Sequence, residues 1–223
     1  MFVNCTLKKS PRESHTKGLA DVSIGIMERE GVDVDYIRLV DHHVPHGEAE
    51  DMTEEGEDED EWPDLFKRII NADILVVATP IWLGELSSVA KKLIERLDAM
   101  SGKQNEKGQN IYYGRAAGCI VTGNEDGVKN CAKTILFPLQ HIGYSIPPQA
   151  ETGWIGKAGP GPSYLDEESG AKDHEFTNKT CTFMTYNLMH LAGYLKEKDG
   201  YPAYGNSEEK WNEGERWKFE KPE

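Results

Sequence analysis

The chain has 223 residues and a formal net charge of −14 at pH 7, and this length suffices for one α/β domain with a sizeable core. The negative charge is concentrated in one place. Residues 48–61 hold ten acidic side chains and no Lys or Arg, which leaves the rest of the chain at only −4. We expect this acidic segment to be a solvated, mobile loop. The acidic balance disfavours nucleic acid and other polyanions as partners.

The four cysteines are scattered and form no CxxC pair. Isolated thiols in a chain of this size are typical of a reduced, intracellular protein. Zinc-finger and iron–sulfur spacings are absent, although this leaves open a metal site assembled from distant residues. The sequence has no signal-peptide pattern and no long apolar span, so we predict a soluble cytoplasmic protein without membrane insertion.

The first predicted strand begins at Phe2 and leads into a segment rich in hydroxyls and bases, residues 6–16. A helix follows, for which Ser14 or Thr16 is a plausible N-cap. A loop that leads into a helix N-terminus can bind phosphate. The segment has neither GxGxxG nor a Gly-Lys-Ser/Thr ending, which favours a monophosphate over a pyrophosphate. The alternative is that its hydroxyls serve only as caps. The candidate phosphate-binding groups are Ser10, Ser14, Thr16, Lys8 and Arg12.

A second strand is predicted over residues 32–40, where polar and apolar side chains alternate. His42 and His46 follow four residues apart, but nothing around them predicts a helix, so a metal site there is the minor alternative. Pro63 then begins a helix that carries Leu65 and Phe66.

The central stretch of the sequence is residues 73–96. Residues 74–78 form a short apolar run, which is typical of a strand buried on both faces of a parallel sheet. From Ser87 a helical pattern begins, with Val89, Leu93, Ile94 and Leu97 on its apolar face. On the other face we expect Lys91, Lys92, Glu95 and Arg96 to be exposed to solvent.

Between this strand and helix lies a loop, residues 79–84, outside the carboxyl end of a strand, where open α/β sheets bind their ligands. Its indole, branched side chains and backbone amides suit a planar heteroaromatic ring with polar edges. The alternative is an ordinary strand–helix junction with a half-buried Trp82.

A fourth strand is predicted over 116–121 and ends in residues 122–127, where Asn and Gly can turn backbone amides toward a ligand; a simple turn is the alternative. A helix over 128–143 and a fifth strand over 145–151 follow. Residues 152–172 are rich in Gly and Pro and carry Trp154 and Tyr164, which predicts a flap over a site. The last long helix covers about 173–196. The polar tail after it is either an arm docked on a neighbouring molecule or largely disordered.

The alternation of strands and helices predicts an α/β fold with a doubly wound, five-stranded parallel sheet and helices on both faces. We expect one domain over residues 1–198 and a polar C-terminal tail over 199–223. The loops after strands 1, 3 and 4 are predicted to bind, respectively, a phosphate, the face of a ring and the edge of a ring.

Three stretches, NCTLKKSPRESHT, ATPIWLGELSSVAKKLIERLD and VTGNEDG, resemble the flavodoxin-like NAD(P)H-dependent FMN reductase and quinone reductase family over roughly residues 1–196. The acidic insert, the tail and a short first strand depart from that pattern. The resemblance implies that FMN is bound by three groups of residues. They are Thr6, Lys8, Ser10, Ser14 and Thr16 for its phosphate; Pro80, Ile81, Trp82, Leu83 and Gly84 for its ring; and Thr122, Gly123, Asn124 and Gly127 for the polar edge of the ring.

The resemblance further implies an FMN-dependent oxidoreductase that passes hydride from NAD(P)H, as co-substrate, through bound flavin to a quinone or a similar small acceptor. No catalytic side chain is predicted, because flavin supplies the redox chemistry and backbone amides stabilise the reduced ring. A homodimer or homotetramer is expected.

Two other classes of function remain as alternatives. One is an electron-carrier flavodoxin without NAD(P)H turnover, since the fold is the same. The other is a non-flavin binding or regulatory module, which would be colourless. A triad hydrolase is disfavoured, because Ser87 and Ser88 are not in a GxSxG motif.

Overall fold

A computed structural model describes residues 1–222. Five parallel strands form the sheet, and their spatial order is β2-β1-β3-β5-β6. A short strand, β4, pairs antiparallel with the end of β3 outside this order. Leaving β4 aside, the order is the flavodoxin-like 2-1-3-4-5 arrangement, which confirms the predicted α/β fold. The strands are β1 (Phe2–Asn4), β2 (Tyr36–Arg38), β3 (Ile74–Trp82), β4 (Glu85–Leu86), β5 (Ala116–Gly123) and β6 (Glu151–Ile155).

The helices lie on both faces of the sheet. Leu75 and Val77 of β3 pack into the core on one face, and Val76 and Ala78 pack into the core on the other. This alternation is the period of a strand, so the apolar run of β3 is buried on both sides, as predicted. The helices are α1 (His15–Arg29), α2 (Trp62–Ile70), α3 (Ser88–Asp98), α4 (Val128–His141), α5 (Glu175–Glu197) and α6 (Glu208–Asn212). Helices α2, α3 and α4 cover the first face, and α1 and α5 cover the second.

Side-chain caps begin the two helices that flank the predicted site. The Ser14 hydroxyl accepts a hydrogen bond from the Lys17 amide at 3.2 Å, and Ser87 accepts one from the Ala90 amide at 3.1 Å. Each bond satisfies an amide that has no partner within the first helical turn. Ser14 is therefore the N-cap of α1, and Thr16 lies inside its first turn.

The predicted fifth strand, 145–151, is wrong. The strand that pairs with β5 is β6, and Ser145 forms only an isolated bridge with Ala116. Pro147 and Pro148 explain the difference, because proline cannot donate a ladder hydrogen bond. Consequently the start of the predicted flap is a strand, and only the residues after Ile155 form an irregular segment.

The prediction that Arg96 faces solvent is also wrong. Its side chain on α3 is fully buried and donates from Nη2 to the Asp60 carboxylate at 2.6 Å. Asp60 belongs to the acidic segment and also accepts from the amides of Met52 and Trp62 at 3.0 and 2.8 Å. Desolvation lowers the pKa of Arg96, and the Asp60 carboxylate opposes that shift. The segment 48–61 is thus attached to the body through Asp60, although most of its other acidic side chains are exposed.

Part of the C-terminal tail contacts the loop that precedes β5 in the same chain. Ser207 donates to the Gly108 carbonyl at 3.1 Å, and the Gln109 side chain donates to the Pro202 carbonyl at 3.1 Å and to Asn206 at 3.0 Å. These bonds hold the tail against the loop that precedes β5. Within the part of the chain that is described, no helix combines the length and apolarity needed to cross a membrane.

Candidate functional site

A cavity of about 480 Å³ opens at the carboxyl ends of β1, β3 and β5. In parallel sheets of this order, ligands bind at this edge, where the connections diverge to opposite faces. The predicted site residues in its wall are Thr6, Lys8, Thr16, Pro80, Ile81, Trp82, Thr122, Gly123 and Asn124. Six predicted residues are not in the wall, namely Ser10, Arg12, Ser14, Leu83, Gly84 and Gly127.

The segment between β1 and α1 forms the first wall. Ser10 is directed elsewhere: its amide and hydroxyl donate to the Asp41 carboxylate at 2.8 and 2.6 Å. Desolvation alone would raise the pKa of Asp41, but the hydrogen bonds from Ser10 hold it below its usual value. Ser14 is buried, because it caps α1 and accepts from the Asn4 amide group at 3.0 Å. Thr6, Lys8 and Thr16 remain at the cavity, next to the positive N-terminus of α1.

Two buried threonines join the first wall to the third. The hydroxyl oxygens of Thr16 and Thr122 lie 2.8 Å apart and share a hydrogen bond. The contact fixes the distance between the start of α1 and the end of β5 at the floor of the cavity.

The loop after β3 forms the second wall. Pro80, Ile81 and Trp82 line the cavity, and the Trp82 side chain is 53% exposed at its mouth. Leu83 is 92% exposed and has a φ of +52°, and Gly84 follows with a φ of +78°. These left-handed conformations turn the chain sharply into β4.

The backbone amides of this loop already have an acceptor. The Glu125 carboxylate accepts from the Leu83 amide at 2.9 Å and from the Gly84 amide at 3.2 Å. The amides that the sequence suggested for a ligand edge are therefore bound to a side chain of the neighbouring loop.

Residues 122–125 form the third wall. Gly127 lies behind it with a φ of +146°, and a Cβ there would lie 2.7 Å from the Gly84 carbonyl oxygen. Asn130 adds a hydrogen bond from its side chain to the same carbonyl at 2.9 Å. A glycine at position 127 therefore lets the second and third walls approach each other closely.

The segment after β6 closes the remaining side of the cavity. Asn124 donates to the Pro162 carbonyl at 2.6 Å, and the Ser163 hydroxyl donates to Asn124 at 2.9 Å. The Leu165 amide donates to Nδ1 of His15 at 3.2 Å, so the proton of a neutral His15 ring is on Nε2. This segment thus contacts both the first and the third walls.

Several wall residues were not among the predicted binding residues. Trp154 and Tyr164 were recognised only as flap aromatics; both are buried, and their rings lie edge to face with centroids 5.6 Å apart. Burial raises the pKa of Tyr164 to about 12, so its hydroxyl stays protonated at neutral pH. His15 and Glu125 carry no sequence signal beyond their neighbours in the loops. The added wall residues are Leu7, His15, Glu125, Trp154, Gly159, Ser163 and Tyr164.

The wall combines groups of different chemistry. Lys8, His15 and the start of α1 offer donors and positive charge for an anion. Ile81, Trp82 and Trp154 offer apolar and aromatic surface, and Glu125 is an anionic acceptor at the wall. A planar aromatic molecule that carries a phosphate fits this set of groups.

The model of the family described as NADPH-dependent FMN reductase matches residues 6–151 of this chain. That range contains all three strand-end loops of the cavity. The chain belongs to the NADPH-dependent FMN reductase family.

Individual relatives agree with this assignment. The 8-demethyl-8-aminoriboflavin-5'-phosphate synthase of Streptomyces davaonensis is 39% identical over 203 residues, which cover 88% of this chain and 78% of that protein. A crystal structure of RosB with bound intermediate 8-demethyl-8-formylriboflavin-5'-phosphate has a TM-score of 0.83 and 36% sequence identity, and the match covers 99% of this chain and 89% of that one.

A third relative is much longer than this chain. A Mycobacterium bovis protein named divalent metal cation transporter MntH is 59% identical over 196 residues, which cover 88% of this chain. The chain spans only 29% of the length of that relative, so the name describes a protein of which most has no counterpart here.

The family assignment confirms the resemblance stated from the sequence. It also confirms that FMN is the expected flavin and NAD(P)H the expected co-substrate for a protein of this kind.

Proposed function

We propose that the cavity binds FMN and that the protein passes hydride from NAD(P)H through the bound flavin to a quinone or a similar small acceptor. The observation that carries the proposal is the convergence of three strand-end loops on one cavity. The cavity is lined by Thr6, Lys8 and Thr16 around the start of α1, by the Trp82 indole, and by Gly123 and Asn124 after β5. The family assignment supports the same ligand.

The residues of the chain have distinct parts in this proposal. Lys8, His15 and the first amides of α1 hold the phosphate, together with the hydroxyls of Thr6 and Thr16. Trp82 and Ile81 pack against the ring, and Thr122, Gly123 and Asn124 lie along its edge. When bound, FMN supplies the two-electron hydride chemistry. Trp154 and Tyr164, which are buried in the wall, exclude water from the cavity.

Five of the six predicted residues outside the wall support the loops instead of touching the ligand. Ser14 caps α1, and Ser10 ties its loop to Asp41. Leu83 and Gly84 make the turn into β4, and Gly127 allows the close approach of that turn to the third wall.

A second candidate function is that a flavin phosphate is the substrate rather than a permanent cofactor. Two of the comparisons, each with an identity above one third, favour it. One is named as a synthase of an aminoriboflavin phosphate, and the other binds a formylriboflavin phosphate as an intermediate. The same phosphate and ring contacts would serve either role.

Recovery of the flavin separates the two functions. The protein is titrated with FMN and then incubated with NADPH and a quinone. Bound and free flavin are recovered separately, and their molecular masses are measured by mass spectrometry. FMN that stays bound to the protein through many turnovers supports the cofactor role, whereas FMN that is released at each turnover or is recovered with a changed mass supports the substrate role. Riboflavin, which lacks the phosphate, serves as the control ligand and should bind more weakly. A protein that binds neither FMN nor riboflavin would contradict both functions.

Location and assembly are part of the same proposal. The four cysteines are free and buried, which suits a reducing cytoplasm, and we propose a homodimer or homotetramer. Light scattering tests the assembly, and a monomeric mass would contradict it.

A further inference from the structure

Glu125 makes the contact in the site that the proposed function leaves unexplained. It follows β5 in the third wall, lines the cavity, and its carboxylate accepts from two consecutive amides of the second wall, those of Leu83 and Gly84. Hydrogen bonds between amides and a carboxylate are among the stronger ones in proteins. The contact therefore joins the second and third walls directly.

The same two amides follow directly after Trp82, whose indole lies at the mouth of the cavity. A planar ligand that packs against Trp82 brings its polar edge near them. The isoalloxazine ring of a flavin has carbonyl oxygens along one edge, and these are acceptors for which amide donors are suited. A carboxylate and a carbonyl edge cannot both occupy the same two N–H groups in good geometry.

We propose that Glu125 is a specificity-determining residue that competes with the ligand for the amides of Leu83 and Gly84. The inference rests on the proposed function, because it takes the ligand to be a flavin phosphate. Only a ligand whose edge supplies acceptors replaces the carboxylate without leaving the amides unpaired. A planar aromatic phosphate without such an edge has to leave Glu125 in place. The carboxylate also repels the phosphate dianion of any ligand in the cavity, which adds to the competition.

Removal of the carboxylate should therefore tighten FMN binding. We expect Glu125→Ala to lower the dissociation constant of FMN by about tenfold, because the ligand no longer displaces a charged hydrogen bond. Glu125→Gln keeps an acceptor but not the charge, so its dissociation constant for FMN should lie between those of Glu125→Ala and the unchanged protein. Glu85→Ala is the matched control. It removes an exposed carboxylate from β4, directly after Gly84, and it should bind FMN like the unchanged protein. Flavin fluorescence measures the affinities.

Amide hydrogen exchange provides a readout that does not depend on activity. In the unchanged protein and in Glu85→Ala, the amides of Leu83 and Gly84 should be protected without ligand. In Glu125→Ala they should exchange rapidly and become protected when FMN is added.

Each outcome bears on the inference. Unchanged or weaker FMN binding by Glu125→Ala would show that the carboxylate only braces the loop, and it would overturn the inference while leaving the proposed function intact. Rapid exchange of both amides in the unchanged protein would overturn it as well. A failure of FMN to bind to any of the proteins would overturn the proposed function and this inference together.

Discussion

At the scale of single residues, the most informative side chain is Trp82. More than half of its surface is exposed although it lines the cavity, and its neighbour Leu83 is almost fully exposed. Exposed apolar side chains beside a cavity indicate a surface that a ligand or a partner covers. In our account a flavin ring packs against the indole, and the apolar surface becomes buried on binding.

The change Trp82→Ala should weaken FMN binding by about three- to tenfold, the range expected for the loss of one aromatic stacking partner. Titration of flavin fluorescence measures the dissociation constants. Trp211→Ala is the matched control, because this tryptophan is 42% exposed and lies in the tail, outside the cavity wall. Equal affinities in the two variants would remove Trp82 from the site.

At the scale of elements, the pair formed by Arg96 and Asp60 joins α3 to the acidic segment. Both side chains are fully buried, and the guanidinium lies 5.6 Å from the centre of the Trp62 ring. A buried ion pair contributes little compared with an apolar pair of equal volume, but the loss of one partner leaves a buried charge without a counter-ion. The pair therefore fixes where the segment 48–61 docks on the domain.

We predict that Arg96→Met lowers the free energy of unfolding by about 3–5 kcal/mol, because the Asp60 carboxylate stays buried without its counter-charge. Urea unfolding measures the loss. Lys91→Met on the same helix is the control: its ion pair with Glu95 is exposed, and its loss should cost less than about 1 kcal/mol. Similar losses of unfolding free energy in the two variants would show that the buried pair with Asp60 stabilises the protein no more than the exposed pair does.

Strand β3 and helix α3 show which features the sequence predicts and which it does not. The strand–loop–helix pattern of residues 73–96 predicted β3 and its burial on both faces, because both depend on local periodicity, and a cavity lies at the carboxyl end of that strand. It failed for Arg96, since a charged residue on the polar face of a helix is read as exposed. Its burial depends on Asp60, which is distant in sequence. The contacts of Glu125 could not be predicted either, because its partners are amides of another loop, distant in sequence.

At the scale of the whole molecule, the sheet order accounts for the convergence of the site. The carboxyl ends of β1, β3 and β5 are neighbours, and the loops that follow them form three walls of one cavity. The fourth wall comes from the segment after β6, which could not be placed from the sequence because the strand before it was predicted several residues too early. The Leu165 amide of this segment donates to His15, and Asn124 donates to its Pro162 carbonyl, so distant parts of the chain form the cavity together.

In our proposal, this cavity carries flavin-dependent hydride transfer from NAD(P)H to a small acceptor. The most direct test is to add NADPH, and separately NADH, without oxygen to protein saturated with FMN, while following the visible absorption of the flavin. We predict rapid bleaching by at least one of the nucleotides and recovery of the colour when a quinone is added. A protein that stays yellow with both nucleotides and bleaches only with dithionite would contradict the claim and point to an electron carrier.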